Sequence, residues 1–162
     1  MHSGEEYSAQ NLKVIVFRLL DEQFGVDVSQ VKSIERLDTI TKVPRTPSFV
    51  KGVIHLRGAV IPIIDLKERL GMEDATLTEQ SRVILVTMDG HEVGIIVDAA
   101  NDVMDIPVSK IEPPPRMVSR VDMKYLRGIA KMPDQLLVLL NLDKVLDMEE
   151  IELIFQGEEL TS

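Results

Sequence analysis

Residues 49–70 lie over residues 125–146 without a gap. At an offset of 76, Phe49 meets Tyr125, Lys51 meets Arg127, Gly52 meets Gly128 and Val53 meets Ile129. Further on, Val60-Ile61 meets Leu136-Leu137, Ile63-Ile64-Asp65-Leu66 meets Leu139-Leu140-Asn141-Leu142, and Leu70 meets Leu146. An offset of 69 places Phe24-Gly25-Val26 on Val93-Gly94-Ile95, and an offset of 68 places Ile40–Val43 on Val108–Ile111. The order of the matches is kept, so two sequential copies emerge, at about 14–71 and 83–147. A repeat of this kind means one supersecondary unit used twice. Any acceptable fold must therefore carry pseudo-symmetry.

Each copy holds short apolar runs rich in Val and Ile: Val14–Leu19, Phe24–Val28 and Val60–Ile64 in the first, Val83–Val86, Val93–Val97 and Leu136–Leu140 in the second. Turn residues bound them. Asp89-Gly90 is a strong hairpin signal, because both positions tolerate positive φ. Each copy reads as hairpin, Pro-bearing connection, second hairpin and short helix. Asp65 is a good N-cap with Glu68 three residues on, and Gly71 can stop that helix; Asn141 is the equivalent cap. Pro62 lacks an N–H, so its strand is an edge there or carries a bulge. The expected fold is mainly β: two small five-stranded barrels with short helices. Exchange of strands between the copies stays open.

The chain has 162 residues and is 44% hydrophobic, enough for a core. It contains no cysteine, which removes a disulfide framework, a thiolate metal site and a cysteine nucleophile. No long apolar run predicts a membrane span, and the polar N-terminus lacks the features of a signal peptide. A cytoplasmic protein fits best. The net charge of −9 argues against general nucleic-acid binding. Yet residues 40–70 and 110–131 each carry a net charge of +4, whereas 71–109 carries −7 and 143–162 carries −6. The two basic segments are either solvated faces or patches that meet a charged partner.

Catalytic chemistry finds little support. His2, His55 and His91 have no second ligand at metal spacing. Asp98 and Asp102 are four apart, but Asp98 reads better as the end of a strand that caps a turn, with Asp102 exposed. Phosphate-loop, nucleophile-elbow and zinc-protease motifs are absent from the sequence. Of the scattered methionines, Met104, Met117 and Met123 are candidates for an adaptable surface, although core filling is the commoner role. In "GVIHLRGAVIPIIDL", Gly52 and Gly58 are expected to let the backbone turn, with Arg57 at the tip of a hairpin. Arg57 is either displayed to a partner or paired internally, for example with Asp65.

The stretches "FGVDVSQVKSIERLDTITKVPRTPSF", "FVKGVIHLRGAVIPIIDL", "EVGIIVDAANDVMDI", "IEPPP" and "YLRGIA" closely resemble the CheW-like domain family of bacterial chemotaxis coupling proteins. The resemblance runs from about Leu12 to Glu150 and its motifs keep their order. It implies two SH3-like β-barrels related by pseudo-symmetry within one domain at 12–150. Residues 1–11 and 151–162 are then expected to be flexible tails.

The same resemblance implies a non-catalytic adaptor without metal or cofactor. Its partners would be the regulatory domain of the histidine kinase CheA and the cytoplasmic tips of methyl-accepting chemotaxis receptors, with neither nucleic acid nor direct membrane insertion. The adaptor would be cytoplasmic and recruited to receptor arrays. A CheW-like module of another chemosensory-type complex, or a small all-β enzyme, are the alternatives. By carry-over, receptor contacts map to Val28, Val31, Ile34, Arg57, Val97 and Val103. Val28, Val31 and Ile34 would share one face of a short helix. Ile40, Val43 and Phe49 are candidates for the kinase-facing surface. Ser33 departs from relatives that carry an acidic residue there.

Overall fold

A computed structural model describes residues 10–37, 39–72, 77–114 and 122–161, with side chains throughout except at Asn101 and 156–161. His2, Met117 and residues 1–9 of the expected N-terminal tail lie outside the described residues. The strands are β1 (Asn11–Leu19), β2 (Glu22–Asp27), β3 (Val31–Arg36), β4 (Val50–Leu56), β5 (Ala59–Asp65), β6 (Arg82–Met88), β7 (His91–Val97), β8 (Ala99–Pro107), β9 (Ile111–Glu112), β10 (Leu126–Lys131) and β11 (Leu136–Leu140). The helices are α1 (Leu66–Arg69), α2 (Leu142–Val145) and α3 (Met148–Thr161).

These strands make two sheets, in the orders β8-β1-β2-β11-β10-β9 and β3-β6-β7-β5-β4. Sheet membership does not follow the two sequence copies. The first hairpin of each copy pairs with the other copy's strands: β1 with β8 and β2 with β11, β6 with β3 and β7 with β5. The strands are thus exchanged, and the second sheet is contiguous in sequence from β3 to β7. The chain crosses from the first sheet to the second between β2 and β3, and returns between β7 and β8. Pseudo-symmetry survives in the ladders, since β11–β2 and β5–β7 are both parallel. Five strands form the second sheet and six the first. In the first, β9 pairs with β10 at Ile111 and Glu112; the corresponding segment of the first copy makes a single bridge, Thr41 to Val53.

Most of the apolar runs form strands buried on both faces, although Val60 and Leu136 are exposed and Val28 lies in the turn after β2. Along β1, Val14 and Val16 enter one core while Ile15, Phe17 and Leu19 enter another. Along β6, Val83 and Leu85 face one core and Ile84, Val86 and Met88 the other. Three cores result. A small one belongs to each sheet, and a large central one joins the sheets. Ile106 on the edge strand β8 and Ile111 on the opposite edge strand β9 share the first sheet's own core, so that sheet rolls up on itself. Each fully buried Val or Ile contributes roughly 1.5–3 kcal/mol.

The local signals act as read. Asp89-Gly90 closes the β6–β7 hairpin with both φ angles positive. Asp65 accepts hydrogen bonds from the backbone N–H of Lys67 and Glu68 and starts α1; Asn141 accepts from Asp143 and starts α2. Parallel pairing of β5 with β7 begins at Ile63, so Pro62 sits where β5 is still an edge. Residues 151–161, within the expected C-terminal tail, continue α3. The helix is held by its apolar stripe: Met148 and Ile151 are buried in the central core, and Ile154 and Phe155 pack against it.

Candidate protein-interaction surfaces

The edge strands β3 and β8 belong to different sheets yet border one seam, because β8 also contacts β6 and the Val28–Gln30 turn contacts both β1 and β6. Val31 and Ile34 lie on a strand, not on the expected helix; only Val28 belongs to a one-turn 3-10 element. Residues three apart on a regular strand face opposite ways. Here a bulge intervenes: Val31 pairs with Val86 but Ser33 with Leu85, and Ile34 with Ile84. The extra residue, Lys32, returns Ile34 to the face of Val31, the face that Val86 and Ile84 turn to the central core. Val28 and Val31 are half-buried against that core, while Ile34 keeps 42% of its surface exposed.

On β8, Val103 pairs with Ile15, so it shares the seam-facing side of the first sheet, and it is 54% exposed. Val97 is a correction. It is fully buried in the central core at the end of β7 and offers a partner no surface. The apolar run Val93–Val97 does not distinguish a core valine from a rim valine.

Arg57 and Gly58 form the two-residue turn between β4 and β5, both at positive φ (51° and 81°). The Arg57 side chain is 64% exposed and lies 3.5 Å from Glu35 on β3, not beside Asp65. Glu35 pairs with Val83, so this contact is on the side of the second sheet's own core rather than in the seam. Gly52 is not a turn residue. It sits in a bulge of β4 at φ 142°, where an added Cβ would lie 2.1 Å from the Thr41 carbonyl oxygen. Only glycine lets β4 approach the loop that the Thr41–Val53 bridge pins.

That loop carries the three kinase-side candidates, but they diverge. Ile40 packs on the second sheet's own core, Phe49 on the central core. Arg69 stacks over the Phe49 ring at 4.6 Å. Val43 is half-buried, its carbonyl accepting from the Thr46 hydroxyl at 3.0 Å.

An aspartate stands at each crossing between the sheets. Asp27 accepts from the Ser29 N–H at 2.9 Å and lies 3.5 Å from Arg127. Burial pushes its carboxyl up, but the Ser29 N–H and the Arg127 guanidinium outweigh burial and hold it below 3.8. Asp98 is bound on every side. Its N–H donates to the Arg18 carbonyl (3.0 Å), one carboxylate oxygen accepts the Leu20 N–H (2.7 Å), and the other accepts the Lys67 ammonium (2.5 Å). Lys67 is fully buried and Asp98 is 13% exposed.

Residues 13–150 match the family model of the CheW-like domain. The chain belongs to the CheW-like family. It is 33% identical to the chemotaxis protein CheW of Klebsiella aerogenes, over 86% of this chain and 84% of that one. It is 39% identical to the CheW of Bacillus subtilis, over 85% and 88%. The scaffolding protein TtCheW of Thermoanaerobacter tengcongensis has a similar structure, with a TM-score of 0.78 at 39% identity, covering 85% of this chain and 93% of that one.

Within this CheW-like fold the first basic segment is largely neutralised by ion pairs, while Arg116 and Arg120 of the second lie outside the described residues. In residues 40–70, Lys51 pairs with Glu68, Arg57 with Glu35, Lys67 with Asp98 and Arg69 with Glu150. Lys42 and Arg45 remain exposed on the β3–β4 loop. Among the described residues no cluster of three His, Cys, Asp or Glu side chains could hold a metal, and no helix is long and apolar enough to cross a membrane. Asp102 is exposed and Asp98 is matched to a lysine, so the two do not make a carboxylate pair.

Two nodes escaped the sequence reading. One is Lys67–Asp98, 31 residues apart. The other is Arg69, which donates to the Val145 carbonyl (2.7 Å) and to Glu150 (2.8 Å) and so ties α1 to α2 and α3. Neither pairing has a local sequence signal.

Proposed function

We propose that this chain is a non-catalytic adaptor that bridges the cytoplasmic tips of methyl-accepting chemoreceptors to the regulatory domain of the histidine kinase CheA, in the cytoplasm at receptor arrays. One observation carries the reading. In a CheW-like chain, two large apolar side chains, Ile34 and Val103, stand exposed on the edge strands that flank one seam. Apolar side chains flanking a seam favour a protein partner. On this reading the receptor tip lies along the seam, against Ile34 and Val103 with Val28 and Val31 behind them. Arg57 presents its guanidinium from the neighbouring rim, and the loop with Ile40, Val43 and Phe49 faces the kinase.

The test is capture of a receptor cytoplasmic fragment and of CheA by the immobilised protein. Ile34→Asp, at an exposed position, is expected to stay within about 1 kcal/mol of wild-type stability and to lose receptor binding by about tenfold or more. CheA binding should be retained. Arg57→Ala should leave the melting temperature nearly unchanged, since its ion pair is exposed, and should weaken the ternary complex. Capture of neither partner by the wild-type protein would end the adaptor reading. Undiminished receptor binding by a folded Ile34→Asp protein would move the receptor site elsewhere.

A further inference from the structure

We propose that Lys67 and Asp98 are positioning residues that pin the two sheets together at one end of the seam, leaving the other end free to open. The receptor-binding arm of the test rests on the adaptor reading; the geometric arm does not.

The two crossings lie at different points along β1, since Asp27 pairs with Val14 and Ala99 with Arg18. At the Asp98 end, every hydrogen-bonding group of the aspartate that can reach across is used. Its N–H and one oxygen grip the β1–β2 hairpin at Arg18 and Leu20, in the first sheet. Its other oxygen grips Lys67 on α1, directly after β5 of the second sheet. Leu20 sits at φ 55°, a left-handed conformation that a leucine seldom adopts, and the bond to Asp98 helps hold it there. The Lys67 ammonium is fully buried, so moving Asp98 away from it breaks a buried charge-assisted contact.

At the Asp27 end the crossing is a single 3-10 turn without a buried residue. The nearest ion pair, Asp27–Arg127, is partly exposed and is contained in the first sheet, so it ties no strand of the second. Among the described residues, the side-chain hydrogen bond from this turn to the second sheet is weak, the Gln30 amide donating to the Met88 sulfur at 3.5 Å, beside the half-buried packing of Val28. The sheets are therefore joined tightly at one end and loosely at the other. The seam between β3 and β8 widens by rotation about Asp98.

The chain has no cysteine, so two introduced cysteines carry the only spin labels. Thr87→Cys on β6 and Asp105→Cys on β8 are both exposed and report the distance between sheets away from the pin. In this background Lys67→Met combined with Asp98→Asn removes both charges and keeps the volume. The pair is expected to fold with near wild-type stability, yet to show a shifted and broadened distance distribution in pulsed EPR, with receptor-fragment affinity reduced several-fold. Asp98→Asn alone is the second variant. An asparagine there has one carbonyl oxygen for two donors, so it must release Lys67 or Leu20, and the distribution should shift. Asp27→Asn should leave the distribution unchanged. An unaltered distribution in folded Lys67→Met/Asp98→Asn or in Asp98→Asn would overturn the proposal. Equal broadening by Asp27→Asn would overturn it as well. A shifted distribution with unchanged receptor affinity would support the pin and count against the seam as the receptor site.

Discussion

At Val28–Gln30 the chain leaves its first sheet for the second; at Asp98 it comes back. The repeat places these passages after corresponding strands, Phe24-Gly25-Val26 and Val93-Gly94-Ile95, and an aspartate stands at each, although at that offset Asp27 falls on Ile96 and Asp98 on Ser29. Their surroundings differ. Asp27 is bound by a neighbouring N–H and a half-exposed arginine, whereas Asp98 holds a lysine that has no access to water. The contrast shows how a duplicated unit is specialised. The fold needs a polar residue at each crossing to satisfy local backbone groups. Asp98 takes a buried counterion from α1 and so ties the sheets, whereas Asp27 caps a turn.

The largest expected effect tests that contrast directly. Asp98→Ala leaves Lys67 buried without a partner and frees Leu20, so it should cost about 3–5 kcal/mol. Asp27→Ala loses a turn cap and an exposed ion pair, about 1 kcal/mol. Chemical denaturation of both variants in one buffer decides the matter. Equal losses at the two positions would remove the distinction between a hard and a soft crossing.

A second comparison sits one strand earlier. Gly25 and Gly94 are equivalent, and each faces its own sheet's core. A Cβ at Gly94 would come within 2.6 Å of Ile63 Cδ1 and 2.7 Å of Val83 Cγ1; at Gly25 the nearest atoms are Leu139 Cδ2 at 3.1 Å and Val14 Cγ2 at 3.4 Å. The Ile63 methyl can swing away, but Val83 has a stiff, β-branched side chain. Gly94→Ala should therefore cost about 1–3 kcal/mol of overpacking, and Gly25→Ala less than about 1 kcal/mol. Thermal melts of the two alanine variants check the order; a reversed order would mean that the second sheet's core is the looser one.

The repeat was legible from comparing the sequence with itself, and the hairpin at Asp89-Gly90 and the caps at Asp65 and Asn141 because each depends on residues close in sequence. Strand exchange was not. A β1 that pairs with β3 and a β1 that pairs with β8 have the same alternation and the same turns, so the choice is made only by tertiary packing. The seam residues show the same limit. Val31 and Ile34 were rightly grouped on one face, but for a helical reason that does not hold; the bulge at Lys32 restores the grouping. Val97 and Val103 read alike in sequence, yet one ends a strand covered on both faces and the other lies on an edge strand. The Met148, Ile151 and Phe155 spacing that docks α3 was present in the sequence, where its acidic neighbours made it read as a polar tail.

The smallest expected effect is the pH dependence of the soft crossing, and its sign is fixed by the structure. Asp27 is held below its ordinary 3.8: burial raises it, but the Ser29 N–H and Arg127 lower it further. In the unfolded chain those partners are lost, so the folded state binds fewer protons than the unfolded one in this window. The stabilisation from Asp27 is then fully present above its unfolded value and fades as pH falls through the folded value. Asp65 has the opposite sign. Burial outweighs the Glu68 N–H and the nearby Lys67 and Lys51, and holds it above 3.8. Protonation of Asp65 relieves a cost of folding, so its contribution grows as pH falls through its raised folded value and partly masks the loss at Asp27. Asp27→Asn isolates the first effect, since it removes the charge and keeps an acceptor for the Ser29 N–H. The stability gap between wild type and Asp27→Asn should be small at about pH 6 and should close towards about pH 2–3. Added salt should narrow the gap at the higher pH, because the Arg127 contribution is screened at a half-exposed site. No gap at either pH would show that Asp27 acts through its shape and hydrogen bond alone. The soft crossing would then differ from the hard one in kind, carrying no electrostatic tie.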